Sequence, residues 1–432
     1  MKILWLCNII LPEVMEQIGK KPVPVGGWLS GMLEGITKSY TLDCFDITVC
    51  MPCGWLNDVE MSQTDRYQYC LFPCHRNDQY SYNNSIEGYF MDILEKVQPD
   101  LVHIWGTEFP TTLAMVNACE KLGLLNRIVI NIQGLVSIYA QHYYASLPWR
   151  VVYDFMTPRH LVFHDSIVQQ KKAFEKRGKY EIEALCKVKH VIGRTDWDKA
   201  CVTQINPNIN YHFCNEILRK SFYKHEWNFE KCERFSIFVS QAAYPIKGLH
   251  FVLEALPLIL RQYPQTHLYV AGSDVTCSSG SLKDRLKLTA YGKYIKKLIK
   301  KYNLEQNITF CGSLNEEQMC ARYLRSNVFV SASSIENSPN SVCEAMILGM
   351  PVVSSDVGGV KNLLEHGKEG FIYQYDAPYM LAFYVLNIFS DTKLACQLGY
   401  NAKLKALKTN NTEDNVKITS IVYQNISSDR GE

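Results

Sequence analysis

Short apolar runs alternate with segments of helical periodicity along almost the whole chain, and this constrains the fold more than any other feature. The runs fall at residues 2–11, 101–105, 128–132, 190–193, 235–240, 267–272, 308–311, 328–332 and 352–355. Strand and helix in alternation predict an α/β architecture with parallel sheets. The first run, KILWLCNIIL, is almost continuously apolar and is bounded by Pro12, as expected of a strand covered on both faces. A signal peptide fits it less well, because Asn8 interrupts the run and no small-residue cleavage site follows.

The 432 residues favour two or three globular units at roughly 100–200 residues each. Hydrophobic residues make up 47% and charged residues 20%, which excludes disordered and low-complexity scaffolds as the main state. The balance of 45 basic against 43 acidic residues lacks the excess expected of a general nucleic-acid binder. No apolar stretch reaches the roughly 18 residues that a membrane span needs. Sixteen cysteines, scattered through apolar runs, read as buried thiols in a reducing compartment. We therefore place the chain in the cytoplasm.

The alternation breaks once, between residues 205 and 234, where Asn, charge and aromatics appear without a sustained period. A domain boundary near Phe229 follows, giving a first domain at 1–228 and a second at 229–378. Residues 379–410 are helical and are expected to cross back to the first domain. The stretch 411–432 reads as a polar, loosely docked tail.

The most informative segment is VFVSASSIENSPNSVCEAMILGMPVVSSDVGGVKNLLEHGKEGFIY, residues 328–373. An apolar strand ends in serines, a loop follows, and a helix begins about Asn340 and stops at Gly349. This puts Glu336 in a loop at a strand's carboxyl end, where open α/β sheets bind ligands, and Glu344 in the next helix. Amide N–H groups at the helix start, around Asn340 and Ser341, favour oxygen-rich or anionic ligands. Spacing alone leaves open that Glu336 is a solvated loop residue and Glu344 a partner of the helix dipole.

The wider pattern, E-x-x-P-N-S-x-x-E-A-M-x-x-G-x-P-V-V-S-S-D-x-G-G followed by E-x-G-x-x-G-F, resembles the nucleotide-sugar site of the retaining glycosyltransferases of family 4. The resemblance implies a GT-B fold, two Rossmann-like parallel-sheet domains with an interdomain cleft. It also implies that Glu336 faces the hexose hydroxyls of a sugar nucleotide, with Asn340 and Ser341 close by, and that Glu344 holds the ribose. Asp356, Gly358 and Gly359 would line the cleft floor, although the glycines fit a simple turn equally well. Upstream, Lys247–Gly248 at a helix start resembles the family's phosphate-binding lysine, which would neutralise charge on a leaving diphosphate. Relatives often carry Arg where this chain has Gln241, so one cation is missing.

In the first half, Gly26–Gly27 follows the first strand and resembles the family's glycine loop, which implies a donor-phosphate or acceptor role; alone, the pair also fits an ordinary turn. The run D-L-V-H-I-W-G-T-E, 100–108, keeps one His of the family's D-x-x-H-x-H. His103 reads as a core histidine, while Trp105 and Glu108 at the strand end are cleft candidates. Glu108 joins Glu336 and Lys247 as a catalytic candidate. Gln133 stands where relatives commonly place a His. Arg194, at another strand end, could supply the missing donor-binding cation, with Arg219 a second candidate. Thr195 and Asp196 read as a helix cap rather than half of a D-x-D metal site.

Two weaker signals remain. Cys50, Cys53, Cys70 and Cys74 have loosely zinc-like spacing, with core thiols the better reading. YGKYIKKLIKKY, 291–302, puts Tyr291, Ile295, Leu298 and Tyr302 on one face and five lysines on the other. A solvated helix over a core is the better reading, and a peripheral contact with the inner face of a membrane the alternative.

Together these features point to a retaining hexosyltransferase that needs no metal or cofactor. Its donor would be a nucleoside diphosphate sugar, its acceptor a glycan or lipid-linked saccharide, and its setting bacterial surface-polysaccharide synthesis. The rival readings are a GT-B-type epimerase or phosphorylase and a non-catalytic sugar-nucleotide-binding partner subunit, the last motivated by Gln241 and the replaced histidines.

Overall fold

The computed structural model describes residues 1–21, 26–38, 45–154, 157–163, 165–277 and 287–428. The chain divides into two compact units, the first made of 1–140, 173–217 and 410–432 and the second of 141–172 and 218–409.

The first unit carries strands β1 (Lys2–Leu6), β2 (Asp46–Cys53), β3 (Glu60–Gln63), β4 (Gln68–Pro73), β5 (Leu101–Trp105), β6 (Ile128–Asn131), β7 (His190–Gly193) and β8 (Asn210–Phe213). Among the described residues they form one sheet in the order β3-β4-β2-β1-β5-β6-β7-β8, parallel except at the β3 edge. Alternate side chains feed two cores. Leu4, Leu6 and Cys50 face one side, and Ile3, Trp5, Val49 and Met51 face the other. That is why β1 reads as continuously apolar: a strand buried on both faces has no polar side to show.

The second unit carries β9 (Glu233–Val239), β10 (His267–Val270), β11 (Ile308–Phe310), β12 (Ser326–Ser331), β13 (Val352–Ser355) and β14 (Phe371–Tyr373). Its described strands form a parallel sheet in the order β11-β10-β9-β12-β13-β14. Among the parallel strands the order turns from descending to ascending between β1 and β5 in the first unit and between β9 and β12 in the second. Ligands of open α/β sheets bind beyond the strand carboxyl ends at such a reversal.

Three expectations about organisation are corrected. The division falls at Ile217/Leu218 rather than at 228/229. Leu218, Phe222 and Trp227 lack regular spacing, yet they pack into the second unit's core with Phe238 and Phe329. Residues 141–172 also belong to the second unit. They are fastened by His250 Nε2 on the Ala145 carbonyl at 2.9 Å and by Ser334 Oγ on the His142 carbonyl at 3.3 Å. The helices Pro378–Ser390 and Thr392–Thr409 stay in the second unit, and the return to the first is made by the supposed tail.

That tail is the helix Thr412–Ser428, which buries Val416, Thr419, Ser420, Val422, Tyr423 and Ile426; residues 429–432 lie outside the described residues. Its apolar stripe is interrupted by hydroxyls and therefore looks weak in the sequence. Thr419 and Ser420 satisfy those hydroxyls on the carbonyls of Asn415 and Val416, at 2.9 and 2.8 Å. The lysine-bearing helix Ala290–Lys301 buries Tyr291, Ile295 and Leu298, as its periodicity predicts, whereas Tyr302, expected on the same face, caps the helix end and is only half-buried.

Candidate functional site

In the second unit the loops after β9 and β12 meet at the strand-order reversal. Lys247 sits in the turn Pro245–Lys247 after β9, and its ammonium donates to Glu336 Oε1 at 2.5 Å in the loop after β12. The same carboxylate oxygen accepts the Ser333 hydroxyl at 2.7 Å. Burial pulls the Lys247 pKa down, but the adjacent Glu336 carboxylate outweighs it and holds the ammonium charged, above the usual lysine range.

Glycine makes this meeting possible at two points. Gly248 has φ +70°, and a Cβ there would come within 1.8 Å of the Ala332 carbonyl oxygen. Gly358 has φ +50°, and a Cβ there would come within 1.8 Å of the Glu336 carbonyl oxygen. Gly359 donates its N–H to that same carbonyl at 3.2 Å. The Gly358–Gly359 pair thus supports the Glu336 backbone from below. Backbone and side-chain bonds lace the loops further: Ser334 N–H to the Ile246 carbonyl at 2.8 Å, and the Ser355 hydroxyl to the Ser333 carbonyl at 2.6 Å.

The helix Asn340–Leu348 follows directly. Its N-cap is Pro339, whose side chain makes no cap bond; Asn340 and Ser341 in its first turn are half-buried, and the positive end of the helix dipole lies beside the Glu336 loop. Glu344, buried in that helix, accepts a bidentate pair from Arg219, Nε and Nη2 each at 2.7 Å. Burial pushes the Glu344 carboxyl up, and Arg219 opposes it. A carboxylate offers about four lone-pair sites, so the two that Arg219 occupies leave room for hydroxyl donors. Gln241 is exposed beyond β9.

In the first unit the loops after β1 and β5 meet at the corresponding reversal. Gly26 (φ +85°) precedes the helix Gly27–Lys38, which Gly27 opens. Asn8 Nδ2 donates to the Trp105 carbonyl at 3.0 Å, joining the two loops. Gly106 (φ +103°) lets the Glu108 carboxylate fold back over the strand end, where a Cβ would meet Glu108 Oε2 at 2.3 Å. Burial first, then the nearby Glu181 carboxylate, push the Glu108 pKa up to about 7, against the pull of its own N–H and of Arg177. A carboxyl group poised near neutrality suits proton transfer.

Glu181, on the helix Ile167–Lys187, is a buried carboxylate that sequence reasoning missed. It accepts from the Thr107 hydroxyl at 2.6 Å, Val136 N–H at 3.0 Å, and Ser137 N–H and hydroxyl at 2.9 and 2.5 Å. In the sequence it is one of several charges on an amphipathic helix, and nothing local marks it.

Other candidates find different roles. Arg194 is 3% exposed and its guanidinium is committed to the equally buried Glu216 at 2.8 Å, so its role as a donor-binding cation is corrected. A desolvated ion pair of this kind holds because each charge needs the other. His103 is fully buried, with Nδ1 bonded to the Tyr423 hydroxyl at 2.6 Å and its pKa lowered by burial to about 3. Trp105, expected near the ligand, is instead packed on His103 with ring centroids 4.0 Å apart. Thr195 caps the helix Asp196–Ile205 in a reciprocal box with Asp198. Cys50, Cys70 and Cys74 lie in one core and Cys53 in the other, since an odd spacing along a strand reverses the side. Among the described residues no group of three or more His, Cys, Asp or Glu is placed to hold a metal ion.

Residues 220–405 match the family model of the glycosyl transferases group 1. Over 192 residues the chain is 27% identical to an uncharacterized glycosyltransferase of Methanocaldococcus jannaschii, covering 44% of this chain and 45% of that protein. Over 254 residues it is 25% identical to the poly(ribitol-phosphate) alpha-N-acetylglucosaminyltransferase of Staphylococcus aureus, covering 58% and 47%. The chain thus spans less than half the length of these curated relatives. Among solved structures, sucrose-phosphate synthase from Thermosynechococcus elongatus superposes with TM-score 0.72 at 17% identity, covering 99% of this chain and 100% of that one. Anabaena HepE in complex with UDP and glucose does so with TM-score 0.65 at 14% identity, covering 99% and 100%. The fold is GT-B, with two parallel-sheet α/β domains.

Proposed function

We propose that this chain, whose residues 220–405 match the glycosyl transferases group 1, is a retaining glycosyltransferase moving a hexose-type sugar from a nucleoside diphosphate sugar to a glycan or lipid-linked acceptor. The observation that carries the reading is the Lys247–Glu336 pair at the β9/β12 reversal, inside the matched region. It puts a cation and a hydroxyl acceptor side by side, the complement of an anionic diphosphate joined to a sugar's hydroxyls. HepE, a similar fold, was solved with UDP and glucose bound, which supports this donor class.

In the proposed reaction the bond from the sugar's anomeric carbon to the diphosphate breaks and a bond to the acceptor oxygen forms on the same face. The acceptor proton passes to the departing phosphate oxygen. Lys247 and the amides at the start of the helix Asn340–Leu348 stabilise the charge that develops on the diphosphate, while Glu336 orients the sugar hydroxyls. Glu344, fixed by Arg219, takes the ribose, and Gly26, Gly27 and Glu108 serve donor phosphate or acceptor from the first unit. The reaction needs no metal, because positive charge comes from side chain and backbone. Surface-polysaccharide synthesis in the bacterial cytoplasm is the setting we assign.

The test is to incubate the pure protein with a panel of nucleoside diphosphate sugars, with and without glycan acceptors. Transfer or slow donor hydrolysis that Glu336→Ala abolishes is the expected result. An altered sugar nucleotide formed without acceptor indicates the epimerase reading, and binding without turnover under every acceptor indicates a non-catalytic subunit.

A further inference from the structure

We propose that the second unit carries a docking surface for anionic membranes, formed by the short helix Trp149–Val152 with Tyr153 and the lysine-bearing helix Ala290–Lys301. The two helices pack on each other, and Lys293 Nζ bonds Asp154 Oδ2 at 2.9 Å, so the aromatic ledge is fixed to the basic helix.

The ledge is anchored inward and apolar outward. Val152 is buried, whereas Trp149 and Tyr153, one helical turn apart, are 68% and 56% exposed. The exposed surface of these two large aromatics adds no apolar burial to the fold, and amphipathic rings of this kind settle at the headgroup level of a bilayer. Beside them, Lys293, Lys296, Lys297, Lys300 and Lys301 all face solvent, and the helix contains no acidic residue. Lys296, Lys297 and Lys300 have no carboxylate partner among the described residues. The apolar side of this helix is already spent on the core, so the helix offers charge alone and the ledge offers the apolar contact. Together they are the two signals that stable peripheral attachment requires.

Charge and geometry favour lipid over nucleic acid. Arg150 lies over the Trp149 ring at 5.4 Å, on a face that a base would need for stacking. The chain as a whole is near neutral, at +2.

The surface is independent of the transfer reading, and its test uses no donor. The full chain is sedimented with phosphatidylcholine vesicles, with and without phosphatidylglycerol. We expect binding to the anionic vesicles, weakened by salt. Each lysine near such a surface strengthens binding about fivefold, so Lys296→Gln, Lys297→Gln and Lys300→Gln together weaken it on the order of a hundredfold. Trp149→Ala with Tyr153→Ala weakens it about tenfold or more. All five positions are exposed, and circular dichroism should show unchanged folding. Glu336→Ala should bind vesicles as the unaltered chain does. Absence of binding to anionic vesicles, full affinity in both variants, or displacement from vesicles by a single-stranded oligonucleotide would each overturn the proposal. So would a chain that dimerises through Trp149 in place of binding lipid.

Discussion

Lys247 and Glu336, 89 positions apart in the chain, form one ion pair at 2.5 Å that ties the loop after β9 to the loop after β12. Each group holds the other in place, and in the proposed reaction each has a separate task toward the sugar diphosphate. Lys247→Ala is expected to lower kcat by about 10²–10³, as removal of a preorganised charge does elsewhere. Because the two act as a unit, Lys247→Ala with Glu336→Gln should cost little more than the worse single change. Steady-state kinetics of the four proteins checks this, and additive losses would show that the pair is not a unit.

Gly358 tests whether backbone support positions Glu336. An alanine would need φ near +50° and would place its Cβ 1.8 Å from the Glu336 carbonyl oxygen. Gly358→Ala should therefore cost about 3 kcal/mol or more and abolish turnover. Gly367→Ala is the control, since φ is +76° there but no heavy atom lies within 4 Å of the added Cβ. It should cost about 1 kcal/mol and leave turnover intact. Denaturant melts and donor turnover measured together separate strain from function.

Glu108 gives the first unit a pH-dependent stability. Its pKa rises from 4.5 in the unfolded chain to about 7 in the folded one, chiefly through burial. Its contribution is therefore full below about pH 4.5 and is lost as pH climbs through about 7. Glu108→Gln, which cannot ionise, should flatten the decline in unfolding free energy over that window by on the order of 2 kcal/mol. Urea titrations at several pH values, compared between the two proteins, read it directly. An unchanged slope would place the titration elsewhere.

Tyr423 closes the C-terminal helix onto β1 and β5. Its hydroxyl accepts the Trp5 indole N–H at 3.0 Å and shares a hydrogen bond with His103 Nδ1 at 2.6 Å. Tyr423→Phe keeps the ring but strands both partners in the core, at a cost of roughly 2–4 kcal/mol. Thermal melts of the variant, with Tyr423→Leu as the apolar comparison, check the size of the effect.

The fold and half of the candidate site are legible in local pattern. Strands buried on both faces leave continuous apolar runs, and Glu336, Glu344, Asn340 and Lys247 fall at fixed offsets from strand ends and glycines. What stayed hidden depends on partners distant in the chain. Nothing near Arg194 says that Glu216 neutralises it, and nothing near Arg219 says that it clamps Glu344. Residues 141–172 look continuous with the first half because a change of unit needs no change of composition. The last helix looked like a tail because its buried stripe includes Thr419 and Ser420, whose hydroxyls find acceptors only once the helix has formed.

Because the first unit is assembled from three separate stretches, its core lacks a wall until residues 410–428 are added. During synthesis, residues 218–409 of the second unit leave the ribosome before the helix that carries Tyr423. Trp5 and His103 wait through that interval without their shared hydroxyl. The early-made half of this protein is thus the late-completed one, and its exposed sheet face is where a chaperone would be needed most.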